Sequence, residues 1–336
     1  MTNEKKVNMA TKSWREVNAI YQIYPRSFKD SNGDGVGDIR GIIEKIEYLR
    51  NTLGVDALWL SPIFQSPKTD WGYDVSDYCA IDPEYGTMQD FEELLARAHE
   101  QEIKIMLDLV PNHTSAQHAW FQESRQDTTN AKRDWYVWRD PKSDGSAPNN
   151  WQSISGGSSW TFDGQTGQYY LHSFTKEQPD LNWDNPNVRE VIKQSVRFWF
   201  DKGVDGFRVD AVWPLSKVDG LPDDELSDSF TTMPKATFND FKHTACKNGP
   251  HLQEYLKELS DVAAEYDHRF FIFEYYPDYA HGDANEQYRT VQSLNPRFAS
   301  SFYFDCMHAQ WSAAQYRGLI QSYYTSKPAD VFAVIS

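Results

Sequence analysis

The sequence predicts a (β/α)8 barrel, a TIM barrel, with a small domain inserted after its third strand. Three observations carry this. Short apolar runs alternate with amphipathic helical stretches, which is the pattern of parallel strands joined by helical crossovers. The gap between the runs near residues 103 and 204 is far too long for one helix, so it must hold an insertion. The runs also end in charged and hydrogen-bonding residues, as strands do where a barrel gathers its chemistry on one rim. Seven runs are present, starting near residues 19, 55, 103, 204, 270, 301 and 331. A full barrel has eight, so the expectation is a barrel truncated in its seventh strand, where the sequence stops at Ser336. An open doubly wound sheet is the rival, but no Gly-rich phosphate loop follows the first strand.

Taken in order, residues 1–18 read as a loose polar tail. Ala19 to Tyr24 is a strand closed by Pro25, followed by a Gly/Asp loop over Asp30 to Asp38. Ile39 to Leu53 places Ile42, Ile43, Ile46, Leu49 and Leu53 on one helical face, and Gly54 ends it. Val55 to Leu60 is the second strand, stopped by Ser61-Pro62; Met88 to Gln101 is a helix, and Ile103 to Val110 the third strand. The insertion spans 112–177, rich in Gly, Ser, Asn and Trp, so the barrel occupies 1–111 and 178–336. Val188 to Asp201, His251 to Tyr266 and Ala313 to Ser326 read as helices. Gly203 to Val212, Phe270 to Glu274, Ser301 to Asp305 and Val331 to Ile335 read as strands.

Composition excludes some partners. A net charge of −16 argues against nucleic acid or an anionic membrane, and no stretch has the length of a membrane span. Cys79, Cys246 and Cys306 are far apart and odd in number, which predicts reduced thiols and a cytoplasmic setting. The polar N-terminus is not a signal peptide. Twelve Trp, 19 Tyr and 19 Phe exceed what a core alone requires, and aromatic faces stack well on sugar rings.

The strand ends carry the chemistry. Strand three ends Asp108-Leu109-Val110-Pro111-Asn112-His113, strand four Arg208-Val209-Asp210, and strand five Phe273-Glu274-Tyr275-Tyr276. Arg208 and Asp210 are two apart, so both point to one side of the strand. An Arg beside an Asp keeps the Asp ionised, although the pair could also be a buried structural one. Glu274 follows Phe271, Ile272 and Phe273, and apolar surroundings should raise its pKa. Two carboxylates on neighbouring strands in unlike environments are what glycoside hydrolysis needs: one to attack or act as base, the other to donate a proton. In the first loop, Asp30, Asn32, Asp34, Val36 and Asp38 stand at alternate positions with glycines between, a spacing suited to Ca²⁺. Its twelfth position is Gly41, so it is not an EF-hand.

These motifs resemble the α-amylase family of retaining glycoside hydrolases (family 13), and within it the α-glucosidase and oligo-1,6-glucosidase branch. The match runs from Tyr21-Gln22-Ile23-Tyr24-Pro25 to Phe273-Glu274 and includes Gly206-Phe207-Arg208-Val209-Asp210 and Gln178-Pro179-Asp180-Leu181-Asn182-Trp183. The resemblance implies Asp210 as nucleophile and Glu274 as general acid/base. Arg208 and His113 would contact substrate and nucleophile. Asp70-Trp71-Gly72-Tyr73-Asp74 matches a pocket loop in which Tyr73 stacks on the terminal glucose and Asp70 binds its hydroxyls. Phe174 and Gln178 match further pocket positions. The implied activity is exo-hydrolysis of short α-glucosidic oligosaccharides. Ala211 stands where relatives acting on α-1,6 bonds tend to carry Val, which leans towards α-1,4 or sucrose-like substrates. A transglycosylase or sugar isomerase of the same family is the near alternative, and a non-catalytic carbohydrate-binding or transporter-ancillary relative the distant one. Asp30, Asn32, Asp34, Asp38 and the Val36 carbonyl match the branch's structural Ca²⁺ loop; catalysis would need no cofactor. The family's His-Asp pair after strand seven has no counterpart here, so the chain as written is expected to lack full activity. Ser155 stands where relatives often carry an aromatic residue.

Overall fold

The computed structural model describes residues 13–227, 237–278, 282–331 and 333–335. Among them, seven parallel strands form one sheet in chain order. These are β1 (Ile20–Ile23), β2 (Ala57–Leu60), β3 (Lys104–Leu109), β4 (Gly206–Val209), β5 (Phe270–Phe273), β6 (Ala299–Tyr303) and β7 (Val334–Ile335). Each pairs in parallel with the next. Sequential parallel order with helical returns is barrel topology, not a doubly wound sheet.

Period-two alternation sorts the side chains. Leu58, Leu60, Ile105, Leu107, Leu109, Phe207, Val209, Phe271 and Phe273 face the helical layer and share one apolar core with it. Ala57, Met106, Phe270, Ile272 and Phe302 face the other way and form a second cluster, the barrel interior. Helices Met88–Glu100, Pro186–Lys202 and Leu252–Asp261 contribute Leu94, Val196, Trp199 and Leu256 to the outer layer.

The structure differs from the sequence expectation in four places. Ile39 to Leu53 is two helices, Ile39–Ile43 and Ile46–Asn51, broken at Glu44-Lys45. The strand read as Ser301 to Asp305 lies at Ala299–Tyr303, and Phe304–His308 is a 3-10 turn. Helix Ala284–Ser293 was not anticipated; it buries only Tyr288, Val291 and Gln292, too few apolar residues to make a period. The last difference is the tail. Residues 1–12 lie outside the described residues, but Trp14 is 4% exposed and packs with Val17 in the barrel interior. In the last strand, Phe332 and Ser336 lie outside the described residues.

Trp14 closes the N-terminal end of the sheet. Its indole N–H donates to the carbonyls of Asp205 (3.2 Å) and His268 (3.1 Å), and its ring stacks on Phe270 at 5.6 Å. Gly206 permits this: a Cβ there would stand 2.6 Å from the Phe270 carbonyl oxygen and 3.0 Å from the Trp14 ring. Asp205 belongs to this end too, accepting from Ile105 N–H at 2.9 Å and lying 2.8 Å from His99 Nε2.

Residues 112–177 carry helix Ala119–Ser124 and a three-stranded antiparallel sheet of Trp138–Arg139, Gln168–Leu171 and Trp160–Asp163. It joins the barrel through the buried Asp180 carboxylate, which meets Lys217 at 2.9 Å, Asn112 Nδ2 at 3.0 Å and the Ser173 hydroxyl at 2.6 Å. Among the described residues no helix is long and apolar enough to cross a membrane.

Trp14→Ala should lower unfolding free energy by about 3–5 kcal/mol, the cost of emptying a buried aromatic site. Urea denaturation followed by far-UV circular dichroism measures it; a change within experimental error would show that the segment does not brace the barrel.

Candidate active site

The C-terminal rim is built from the same alternation. Register pairs Met106 with Gly206 and Asp108 with Arg208, so Asp108 and Arg208 stand side by side one layer above the apolar plug. Asp210 and Glu274 follow directly after β4 and β5. Arg208 joins all three acids. Its Nη1 donates to Asp108 Oδ1 at 2.7 Å and to Asp210 Oδ1 at 2.5 Å, and its Nη2 lies 2.7 Å from Glu274 Oε2. The sequence anticipated only the Asp210 contact. Asp108 is held further by Trp59 Nε1 (3.0 Å) and the Tyr73 hydroxyl (3.2 Å), both donating to Oδ2. Glu274 Oε2 also accepts from the Ala211 N–H at 2.8 Å. Ala211 has φ +38°, a conformation costly for a non-glycine residue, and this turn aims its N–H at Glu274.

One buried guanidinium facing three carboxylates sets their protonation. Arg208 stays charged, its pKa held high by the surrounding acids against its own burial. Burial is the first cause pushing Glu274 well above the ordinary carboxylate range; the Asp210 charge adds to it and Arg208 opposes it. Asp108 is raised too, first by burial and with a contribution from Asp210, again opposed by Arg208. Burial also raises Asp70. A site with one cation and three formal anions away from water therefore keeps protons. On Glu274, Oε2 faces the Arg208 guanidinium and accepts from the Ala211 N–H, which leaves Oε1 free to carry the proton.

These residues floor a cavity of about 560 Å³, within the range for small-molecule sites. Asp70, Tyr73, His113, Phe174, Arg208, Asp210 and Glu274, all singled out from sequence, line it. Gln178 does not line it. It is fully buried behind the wall, with its amide N–H 2.9 Å from Asp70 Oδ2 and 3.1 Å from His113 Nε2. His113 Nε2 is also 3.1 Å from the Tyr73 carbonyl oxygen, and Asn112 Nδ2 is 3.2 Å from Nδ1. Asp108 was named at the end of strand three but given no role, because its place beside Arg208 follows from the inter-strand register. Ile154, Trp213, Phe238, Lys247 and Pro277 also line the wall; they are loop residues that no periodicity marks.

The 30–38 loop lies apart from the cavity lining. Asp30 accepts backbone N–H groups of Asn32 (3.0 Å), Gly33 (2.6 Å) and Gly35 (2.8 Å), which lowers its pKa. Asp34 accepts from Val36 N–H at 2.8 Å. Asp38 caps the following helix through Gly41 N–H at 2.6 Å and accepts from Ser31 N–H at 3.0 Å. The donors are all oxygen and the loop folds around them, which fits a hard cation. The three carboxylates are not gathered within 4.8 Å of one another.

Residues 22–330 match the family model described as alpha amylase, catalytic domain. An oligo-1,6-glucosidase of Halalkalibacterium halodurans is 52% identical over 260 residues, 77% of this chain and 45% of that protein. An alpha-glucosidase of Pediococcus pentosaceus is 48% identical over 259 residues, covering 77% and 44%. The chain thus spans less than half the length of these curated relatives. Among solved structures, the alpha-glucosyl transfer enzyme XgtA superposes with TM-score 0.88 at 40% identity, over 96% of this chain and 60% of its own. The trehalulose synthase MutB of Pseudomonas mesoacidophila superposes with TM-score 0.82 at 39% identity, covering 95% and 56%.

Arg208→Met should destabilise the fold by about 3–5 kcal/mol near neutral pH by leaving buried carboxylates without their cation. The raised pKa values mean that the folded state holds protons the unfolded chain has released. Stability therefore falls as pH rises from the ordinary carboxylate range through the raised pKa values, and more steeply without Arg208. Urea titrations across pH should show the gap between variant and natural chain widening upwards; a pH-independent gap would refute the shared-proton picture.

Proposed function

The chain belongs to the α-amylase family of glycoside hydrolases, and on that footing we propose that it acts as a retaining α-glucosidase. It would remove terminal non-reducing glucose from short α-linked oligosaccharides or sucrose-like sugars. The single observation that carries this reading is the Arg208 bridge between Asp210 and Glu274 on adjacent strand ends. One guanidinium holding both keeps them close, as retention asks, where the two carboxyl groups stand about 5–5.5 Å apart.

Asp210 attacks the anomeric carbon. Arg208 holds Oδ1, which leaves Oδ2 as the attacking oxygen. Glu274 passes the Oε1 proton to the leaving glycosidic oxygen as that bond breaks. Once Asp210 is an ester, its negative charge is gone, and with it the second cause of the raised Glu274 pKa. Glu274 is then a carboxylate stabilised by Arg208 and the Ala211 N–H. It takes a proton from water as that water attacks the same carbon and frees Asp210 with retained configuration. Asp70 and His113 would grip sugar hydroxyls, positioned by Gln178, while Tyr73 and Phe174 offer ring faces.

Preference for α-1,4 over α-1,6 bonds rests on Ala211. Ala211 lines the cavity beside Asp210, and its small side chain leaves space there that Val would fill. A second reading, glucosyl transfer or isomerisation, has support in the likeness to XgtA and MutB and in an apolar outer wall of Ile154, Phe174 and Trp213 that would hold water off the intermediate. A non-catalytic role fits poorly with the retained carboxylate pair. The reduced cysteines agree with a cytoplasmic setting, and the substrate would be the sole partner. For the 30–38 loop we infer structural Ca²⁺ held by Asp30, Asn32, Asp34, Asp38 and the Val36 carbonyl, supported by the donor chemistry alone.

The test is turnover of maltose, isomaltose and 4-nitrophenyl α-glucoside with product analysis. Maltose should exceed isomaltose, and free glucose should dominate over transfer products. Asp210→Asn should lose turnover on the order of 10⁴-fold or more. Glu274→Gln should slow maltose by about 10²–10⁴-fold and the activated aryl glucoside far less; equal losses would remove Glu274 as the acid. For the natural chain, kcat/KM on maltose should fall as pH rises through the raised Glu274 pKa, and Glu274→Gln should erase that limb. Separately, EDTA should lower Tm and Ca²⁺ restore it, with Asp30→Ala insensitive to both; an unchanged Tm would dismiss the ion.

A further inference from the structure

A second cluster of chemistry lies in the long connection between β4 and β5, behind the cavity wall. Asp224, His243 and Cys246 bring a carboxylate oxygen, an imidazole nitrogen and a thiol within 4.8 Å of one another. Among the described residues this is the one such group. Cys246 Sγ is 3.4 Å from His243 Nδ1, and Asp224 Oδ2 is 3.9 Å from the same nitrogen. Neighbouring ligands on one tetrahedral zinc ion stand about 3.3–3.6 Å apart, given metal–ligand lengths near 2.0–2.3 Å. The separations here are close to that without any rearrangement of the backbone.

Sγ and Oδ2 both lie against Nδ1, so the three ligand atoms already face one another. All three side chains are over nine-tenths buried. A thiolate and a carboxylate would neutralise a divalent cation, leaving no net buried charge. The carboxylate is already aimed: Asp224 Oδ1 accepts from Ala245 N–H at 2.8 Å, and the Asp224 N–H donates to Asn150 Oδ1 at 2.8 Å. Such outer contacts orient metal ligands. His243 has φ +54°, a conformation a non-glycine residue adopts at a cost, and its ring stacks on Phe238 at 3.7 Å.

We propose that Asp224, His243 and Cys246 form a structural binding site for a zinc-class divalent ion, with water as fourth ligand. On binding, Cys246 gives its thiol proton to solvent as the sulfur–metal bond forms; no electrons change hands. The ion ties Asp224 to His243 and Cys246 across the connection. It thereby braces the wall residues Trp213, Phe238 and Lys247, which line the cavity.

Cobalt(II) titration of the purified, metal-stripped protein tests this. One equivalent should produce a thiolate-to-cobalt charge-transfer band in the near ultraviolet, which zinc displaces. Cys246→Ser should abolish the band, Asp224→Asn should weaken the titration by about ten-fold or more, and Cys79→Ser should leave it intact. Cobalt binding without the band, or a band that survives Cys246→Ser, would overturn the proposal. Where a variant does not fold, the natural protein decides. At zinc ten times the Kd, iodoacetamide labelling of Cys246, mapped by peptide mass, should slow about ten-fold while Cys79 is unaffected. Equal labelling with and without zinc would refute the site.

Discussion

Arg208 is the constraint on which the rim of this barrel depends. A lone guanidinium, 6% exposed, serves Asp108, Asp210 and Glu274 at once. In water such an arrangement would be unremarkable, because each acid would ionise independently. Buried, the cluster cannot carry three negative charges against one positive charge, so protons stay on. The protonation states are therefore a property of the group and not of any single acid. That coupling ties the groups to one another: burial and the neighbouring Asp210 charge push Glu274 up while Arg208 opposes the rise, so removing the Asp210 charge would lower Glu274.

The strand that carries Arg208 is specialised at both ends. Asp205 at its base is tied to Ile105 N–H and His99, under the Trp14 plug, while Arg208 and Asp210 face the cavity. Gly206 between them has no side chain because Trp14, Met106 and the Phe270 carbonyl leave no room for one. A single hexapeptide thus anchors the closed end of the barrel and arms the open one. Period two separates these tasks from the packing, since Phe207 and Val209 turn outward into the helical layer.

Much of this was legible in the sequence because barrel strands are short, apolar and fully buried, and stand out against amphipathic helices. The succession of parallel strands and seven of the cavity-lining residues followed from pattern and motif. What escaped did so for identifiable reasons. Trp14 sits in a polar segment, and its burial depends on contacts with Phe270 and His268, more than 250 residues away in the chain. Asp108 lay in view, but its partnership with Arg208 is a matter of inter-strand register, which local pattern does not encode. Helix Ala284–Ser293 is mostly polar, and the wall residues Trp213, Phe238 and Lys247 sit in loops whose course no period reveals. Gln178 was assigned to the ligand although it reaches the cavity only through Asp70 and His113.

The turn at Ala211 joins two properties that would otherwise be independent. Its φ of +38° points the backbone N–H at Glu274, fixing which carboxyl oxygen stays free to carry the proton. The same residue lines the cavity beside Asp210. A left-handed backbone conformation at a non-glycine residue costs on the order of 1–3 kcal/mol and persists only where its surroundings over-determine it. Here they do, through the Arg208 bridge on one side and β5 on the other. A bulkier or β-branched side chain at this position would therefore act on both properties together. It would narrow the cavity beside Asp210 and, by resisting the turn, loosen the hydrogen bond to Glu274. Cavity shape and the hydrogen bonding of Glu274 are coupled through one peptide unit.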